Sequence, residues 1–118
     1  MQNTSLDVVR GTLDVLILKT LSWGSMHGFA IARAIHRQTE EALLVEEGAL
    51  YPALHRMEGK GWIEAEWGLS DNNRRAKYYR LTPTGRQRLR EEIRGWTSYA
   101  EAVAKVLGAT TPAAERNS

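Results

Sequence analysis

The sequence predicts a mainly α fold with a small β-hairpin, an α+β arrangement of three short helices, two strands and one long final helix. Three observations lead there. Apolar residues recur at helical spacing in three segments before residue 60, residues 63–81 alternate as two strands around a polar turn, and Thr82-Pro83 opens a last stretch with a heptad seam. With 118 residues, 42% of them hydrophobic, the chain has room for one domain with a modest core.

The first helix is expected over about 12–23, where Leu13, Leu16, Ile17 and Leu21 share a face and Thr12 stands at the capping position. It ends near Trp23-Gly24. After a turn at Gly24-Ser25-Met26, Phe29, Ile31, Ala32 and Ile35 predict a second helix over about 27–39, with Arg33 and Arg37 together on one charged face. Residues 40–45 read as a connector that returns Leu43, Leu44 and Val45 to the core. A third helix over about 47–60 follows from Leu50, Leu54 and Met57 at i, i+4 and i+7. Glu46 or Glu47 stands where a negative charge favours a helix start. Pro52 lacks the N–H that would reach the Gly48 carbonyl, which predicts an irregular first turn. Gly59 and Gly61 bracket the helix end.

Strands are expected over about 63–67 and 75–81. In the first, Ile63, Ala65 and Trp67 alternate with Glu64 and Glu66; in the second, Lys77, Tyr79 and Leu81 alternate with Tyr78 and Arg80. Asp71-Asn72-Asn73 supplies turn residues that tolerate left-handed backbone. Three helices followed by a hairpin have the order of a winged helix-turn-helix, here spanning 6–82. The last helix, about 83–109, starts with Thr82 as cap and Pro83 at the first helical position. Along it Leu89, Ile93, Trp96, Ala100, Val103 and Leu107 are spaced 4, 3, 4, 3, 4, a seam too narrow and too long for a small winged domain to cover. It predicts a partner helix, although Gly95 and Ala100 weaken the coiled-coil pattern. Residues 110–118 carry only Pro, Ala, Thr and polar side chains and are expected to form a disordered tail.

Charge and composition narrow the function. A net charge of +2, from 16 Lys+Arg against 14 Asp+Glu, makes the position of charge matter more than its sum. No cysteine is present, so disulfides, thiolate chemistry and Cys-based zinc sites are excluded. The N-terminus lacks a basic segment leading into an apolar run, and no stretch approaches a membrane span, which together predict a cytoplasmic protein without membrane partners. His27, His36 and His55 form no ligand pair, Glu40-Glu41 and Glu46-Glu47 are explained as solvated helix flanks, and neither a phosphate loop nor a nucleophile elbow occurs. The expectation is therefore no enzyme, no cofactor and no metal.

Double-stranded DNA is the partner that the charged segments suit. On the third helix Ala49, Tyr51, Pro52, His55 and Arg56 occupy the half and middle that would meet a major groove, and Asn73, Arg74, Arg75 and Lys77 cluster on the hairpin where a wing meets backbone or minor groove. Tyr51 suits a phosphate hydrogen bond or, alternatively, a core position; His55 and Arg56 suit DNA or plain solvation. Trp96 and Tyr99 near the middle of the last helix are candidates for an apolar pocket for a flat aromatic molecule, with core packing as the other reading. A competing function is an assembly module that uses hairpin and last helix to bind protein; Arg74, Arg75 and Lys77 on one hairpin arm speak against it.

Several runs carry a family resemblance. Gly11-Thr12-Leu13-Asp14 with Leu16-Ile17-Leu18, then His27-Gly28-Phe29-Ala30-Ile31, then Glu47 to Glu58 with its Leu50-Tyr51-Pro52-Ala53-Leu54 centre, then Lys77 to Gly85, together resemble the PadR family of bacterial transcriptional regulators over about residues 6–109. The single last helix is similar to the compact branch of that family. The resemblance implies a homodimeric repressor whose last helix packs with the first to form the interface, which adds Leu13 to the seam residues. It also implies that small-molecule relief occurs in some members. Two positions depart from the family pattern: Phe29 stands where Tyr is usual, and Ala49 where a small hydroxyl residue is common. Ala49 retains a methyl for a thymine contact, so base preference is what changes.

Overall fold

A computed structural model of the chain describes residues 6–7 and 11–114; residues 1–5 of the N-terminal reading, residues 8–10, and 115–118 of the expected tail lie outside the described residues. The element order is β1 (Leu6–Asp7), α1 (Leu13–Leu21), β2 (Met26–His27), α2 (Gly28–Gln38), β3 (Leu43–Leu44), α3 (Glu47–Gly59), β4 (Ile63–Leu69), β5 (Arg75–Leu81) and α4 (Pro83–Leu107). Four helices and a small antiparallel sheet make an α+β winged-helix fold with a long C-terminal helix.

The core forms around α1, whose Ile17 and Leu18 are fully buried. Ile31 and Ile35 of α2, Leu50, Leu54 and Met57 of α3, Ile63 of β4, Tyr79 and Leu81 of β5, and Leu89 of α4 close around them. α2 and α3 contribute side chains three or four positions apart, which lie on one face, whereas the central α1 also buries the adjacent pair Ile17 and Leu18. Phe29 departs from the expected apolar set and is 62% exposed. Two residues before Ile31, it lies on nearly the opposite side of α2. Leu44 likewise turns outward while Val45 is buried, because β3 pairs in parallel with β1 and alternates its faces.

The wing is a three-stranded sheet in the order β2-β5-β4, since Met26 and His27, read from the sequence as turn and helix start, pair with Tyr79 and Tyr78. His27 also caps α2: its Nδ1 accepts from the Ala30 N–H at 3.1 Å, which places the neutral ring's proton on Nε2. Histidine is outside the usual set of caps, so the sequence pattern did not announce it. Asn73 at φ 62° supplies the left-handed residue of the wing turn, held by Asn73 N–H to Ser70 O and Ser70 N–H to Arg74 O, both 2.8 Å. The inward face of β4 fades toward this turn: Ile63 is buried, but Trp67, expected inward, is 57% exposed because the hairpin has run past the core.

α3 runs unbroken through Pro52, and its first turn is regular, with Leu50 N–H donating to Glu46 O at 2.9 Å. The expected irregularity does not occur there; Gly48 is exposed, so its carbonyl can turn to solvent instead of an N–H at Pro52. α4 starts on Thr82, whose hydroxyl accepts from the Gly85 N–H at 3.0 Å. Its only buried positions are Gly85 and Leu89, so beyond that second turn the helix leaves its own domain.

Candidate nucleic-acid interface

α3 divides cleanly by face. Leu50, Ala53, Leu54 and Met57 anchor it in the core, while Ala49, Tyr51, Pro52, His55 and Arg56 are exposed. Tyr51 is 43% exposed, and its ring packs against the start of α2. A Cβ at Gly28 would lie 2.7 Å from the Tyr51 hydroxyl, so glycine there makes room for the ring. Arg56 extends the other way and pairs with Asp14 of α1. That pairing turns its guanidinium toward α1, and Arg56 does not line the groove between α2 and the wing.

Between α2, the start of α3 and the wing runs an open groove of about 1030 Å³. The structure brings Tyr51, Arg74, Arg75 and Lys77 to its walls; Ala49, Pro52, His55 and Arg56 lie on α3 outside it, and Asn73 lies in the turn at its rim. Lys77 is half-buried, 3.4 Å from Glu58 Oε1, with its ammonium 5.8 Å from the centre of the Tyr79 ring. Burial holds the Tyr79 phenol above its ordinary pKa, with the Lys77 ammonium pulling the other way. Arg75 stacks its guanidinium 4.5 Å from the Trp67 ring centre. The wing's shape is further fixed by the Tyr78 hydroxyl, which donates to Leu69 O at 2.9 Å, and by edge-on contact of Tyr78 with His27.

The opposite wall is α2, with Phe29, Arg33 and Arg37 facing the groove. Sequence reasoning placed Arg33 and Arg37 on one helical face but could not say what that face looks at. Trp67 was missed for the same reason.

On α4 the seam residues fall into two groups. Leu89 belongs to the protomer's own core, and Leu13 is half-buried against that core. Ile93, Trp96, Val103 and Leu107 are exposed, Leu107 by 79%, and Ala100 is half-buried between them. The Trp96 and Tyr99 rings touch, 5.8 Å between centres, on the same outer stretch. Among the described residues no helix is long and apolar enough to cross a membrane, and no three His, Asp or Glu side chains are grouped as metal ligands.

Comparison with known proteins identifies relatives of the chain and of its fold. The Transcriptional regulator PadR-like family matches residues 17–91. The chain is 32% identical over 94 residues to the Transcriptional regulator Rv3488 of Mycobacterium tuberculosis, covering 80% of this chain and 84% of that protein. Among solved structures, a transcriptional regulator from Clostridium thermocellum superposes with a TM-score of 0.74 at 31% identity, covering 81% of this chain and 90% of the other. A PadR family transcription regulator from Clostridium difficile gives a TM-score of 0.69 at 30% identity, covering 82% of this chain and 99% of the other. With an exposed α3 face, a basic wing and a projecting last helix in one winged domain, the chain belongs to the PadR-like family of transcriptional regulators.

Proposed function

We propose that the protein is a cytoplasmic homodimeric repressor that binds a near-palindromic operator in double-stranded DNA. The observation that carries this reading is the convergence of Tyr51, Arg74, Arg75 and Lys77 on one groove beside the exposed face of α3. In such a complex α3 enters the major groove through Ala49, Pro52 and His55, while the wing tip at Asn73, Arg74 and Arg75 meets the flanking backbone or minor groove. Arg56 joins only if it leaves Asp14.

The dimer reading is supported by the exposed apolar side chains of α4, since Ile93, Trp96, Val103 and Leu107 lie on one seam with Ala100 between them. An exposed seam of this kind gains stability by packing against a second helix, and a two-fold pair of α3 helices matches half-sites about one DNA turn apart. Facing copies of Trp96 and Tyr99 would border an apolar space suited to a flat aromatic effector. Such a ligand would relieve repression by changing the separation of the two α3 helices.

The test is a mobility-shift and footprint measurement on the DNA upstream of the protein's own gene, across a range of salt. Steep salt dependence that flattens in an Arg74→Ala/Arg75→Ala variant is expected, by about 0.9 in log K against log salt for each phosphate that is no longer neutralised. Tight DNA binding with an unchanged slope would remove the wing from the interface. No DNA binding, with protein partners recovered through the hairpin, would instead favour an assembly module.

A further inference from the structure

The groove has two walls, one of which is the wing. Its other wall is the face of α2 on which Arg33 and Arg37 lie four residues apart, both exposed. Opposite them stand Arg74 and Arg75, with Lys77 deeper in. Five cationic side chains therefore line the groove against a single carboxylate, Asp71, while the whole chain sets 16 Lys+Arg against 14 Asp+Glu. Among the described residues no carboxylate pairs with Arg33, Arg37, Arg74 or Arg75, whereas Arg56, Lys77, Arg80 and Arg88 each have an acidic partner.

The walls also share a device. Arg33 lies 5.5 Å from the centre of the exposed Phe29 ring, and across the groove Arg75 lies 4.5 Å from that of the exposed Trp67 ring. A guanidinium resting on an aromatic face is restrained without being neutralised, and its N–H edge remains available to an anion. Such pre-ordering reduces the side-chain entropy lost when a phosphate oxygen is bound. Two facing pairs of arginines without a carboxylate partner among the described residues, one of each pair restrained, suit a linear polyanion better than a single small anion, because the charges are spread along both walls.

We propose that the α2 face of Arg33 and Arg37, with Phe29 restraining Arg33, is a second phosphate-binding wall, so that one DNA backbone runs through the groove between α2 and the wing. This rests on the DNA-binding reading above and extends it from α3 and the wing to α2. Phe29 acts here as a positioning residue; Arg33 and Arg37 make the contacts.

The experiment compares log K against log salt for operator DNA in the full chain, Arg33→Ala/Arg37→Ala, Arg74→Ala/Arg75→Ala, and Arg90→Ala/Arg94→Ala. The last pair removes the same charge from exposed positions of α4 that do not line the groove. All six arginines are exposed, so the variants should fold, as circular dichroism will verify. Support would be a slope reduced by about 1.8 per protomer in Arg33→Ala/Arg37→Ala, comparable to the wing variant, with Arg90→Ala/Arg94→Ala near the unmodified protein. Phe29→Ala, which keeps every charge, should then weaken binding about two- to threefold with the slope retained. A full slope in Arg33→Ala/Arg37→Ala would overturn the α2 wall and leave the α3 and wing reading intact. Failure of the unmodified protein to bind DNA at any salt would overturn the DNA reading itself, and the wall with it.

Discussion

A Cβ added to Gly85 would lie 1.9 Å from the carbonyl oxygen of Trp62, so the first turn of α4 is in backbone contact with the residue just before β4. Around that contact the Thr82 N–H donates to Trp62 O at 3.1 Å, and the Thr82 hydroxyl lies 2.6 Å from Gly61 O. The Trp62 ring in turn has the ammonium of Lys60 4.8 Å and the guanidinium of Arg88 4.9 Å from its centre. Gly61, at φ 76°, makes the turn from α3 into this joint. The end of α3 and the start of α4 are thereby tied to one piece of backbone. A change in the direction of α4 has a short mechanical path to α3.

Among the glycines, Gly85→Ala should therefore be the most damaging substitution. Backbone atoms cannot swing aside as a side chain can, so a loss of about 3 kcal/mol is expected, read as a lower urea midpoint. A substitution that left the midpoint unchanged would mean that α4 can shift at this joint.

Thr82 has a separate role that a conservative change can isolate. Its hydroxyl caps α4 and reaches back to Gly61, so Thr82→Ala should cost about 1 to 2 kcal/mol while Thr82→Ser recovers most of it. Equal losses in the two variants would point to the methyl group instead of the hydroxyl.

The Asp14–Arg56 pair links α1 to α3 and holds the Arg56 guanidinium away from the groove. Arg56 is about half exposed, so Asp14→Asn should lower stability by less than about 1 kcal/mol. Freed Arg56 and the removed negative charge should together raise DNA affinity, by about threefold to tenfold in a mobility-shift titration. Weaker binding by Asp14→Asn would show that the pair holds α3 in its binding orientation.

Two seam residues on α4 should behave differently despite their equal spacing in the pattern. Leu89→Ala should destabilise the protomer by about 3 kcal/mol, since it opens a cavity in the core. Val103→Asp should leave the fold of the protomer intact and shift the proposed dimer toward monomer in sedimentation at micromolar concentration. A monomeric unmodified protein would end the dimer proposal and with it the two-fold operator.

Local pattern was enough to identify the helices, the hairpin and the long last helix, because apolar periodicity and caps such as Thr82 act within a few residues. The exposed face of α3 and the basic wing were legible for the same reason: once Leu50, Leu54 and Met57 point inward, Tyr51 and His55 must point elsewhere. Contacts distant in sequence decided the rest. Pairing of β2 with β5 made Met26 and His27 part of the wing, Asp14 captured Arg56, the core claimed Leu89 from the heptad seam, and the hairpin's reach past the core left Trp67 exposed. Arg33 and Arg37 show the division most clearly. Their spacing puts them on one face of a helix, but what that face confronts depends on where the chain some forty residues later folds back, and periodicity carries no record of that.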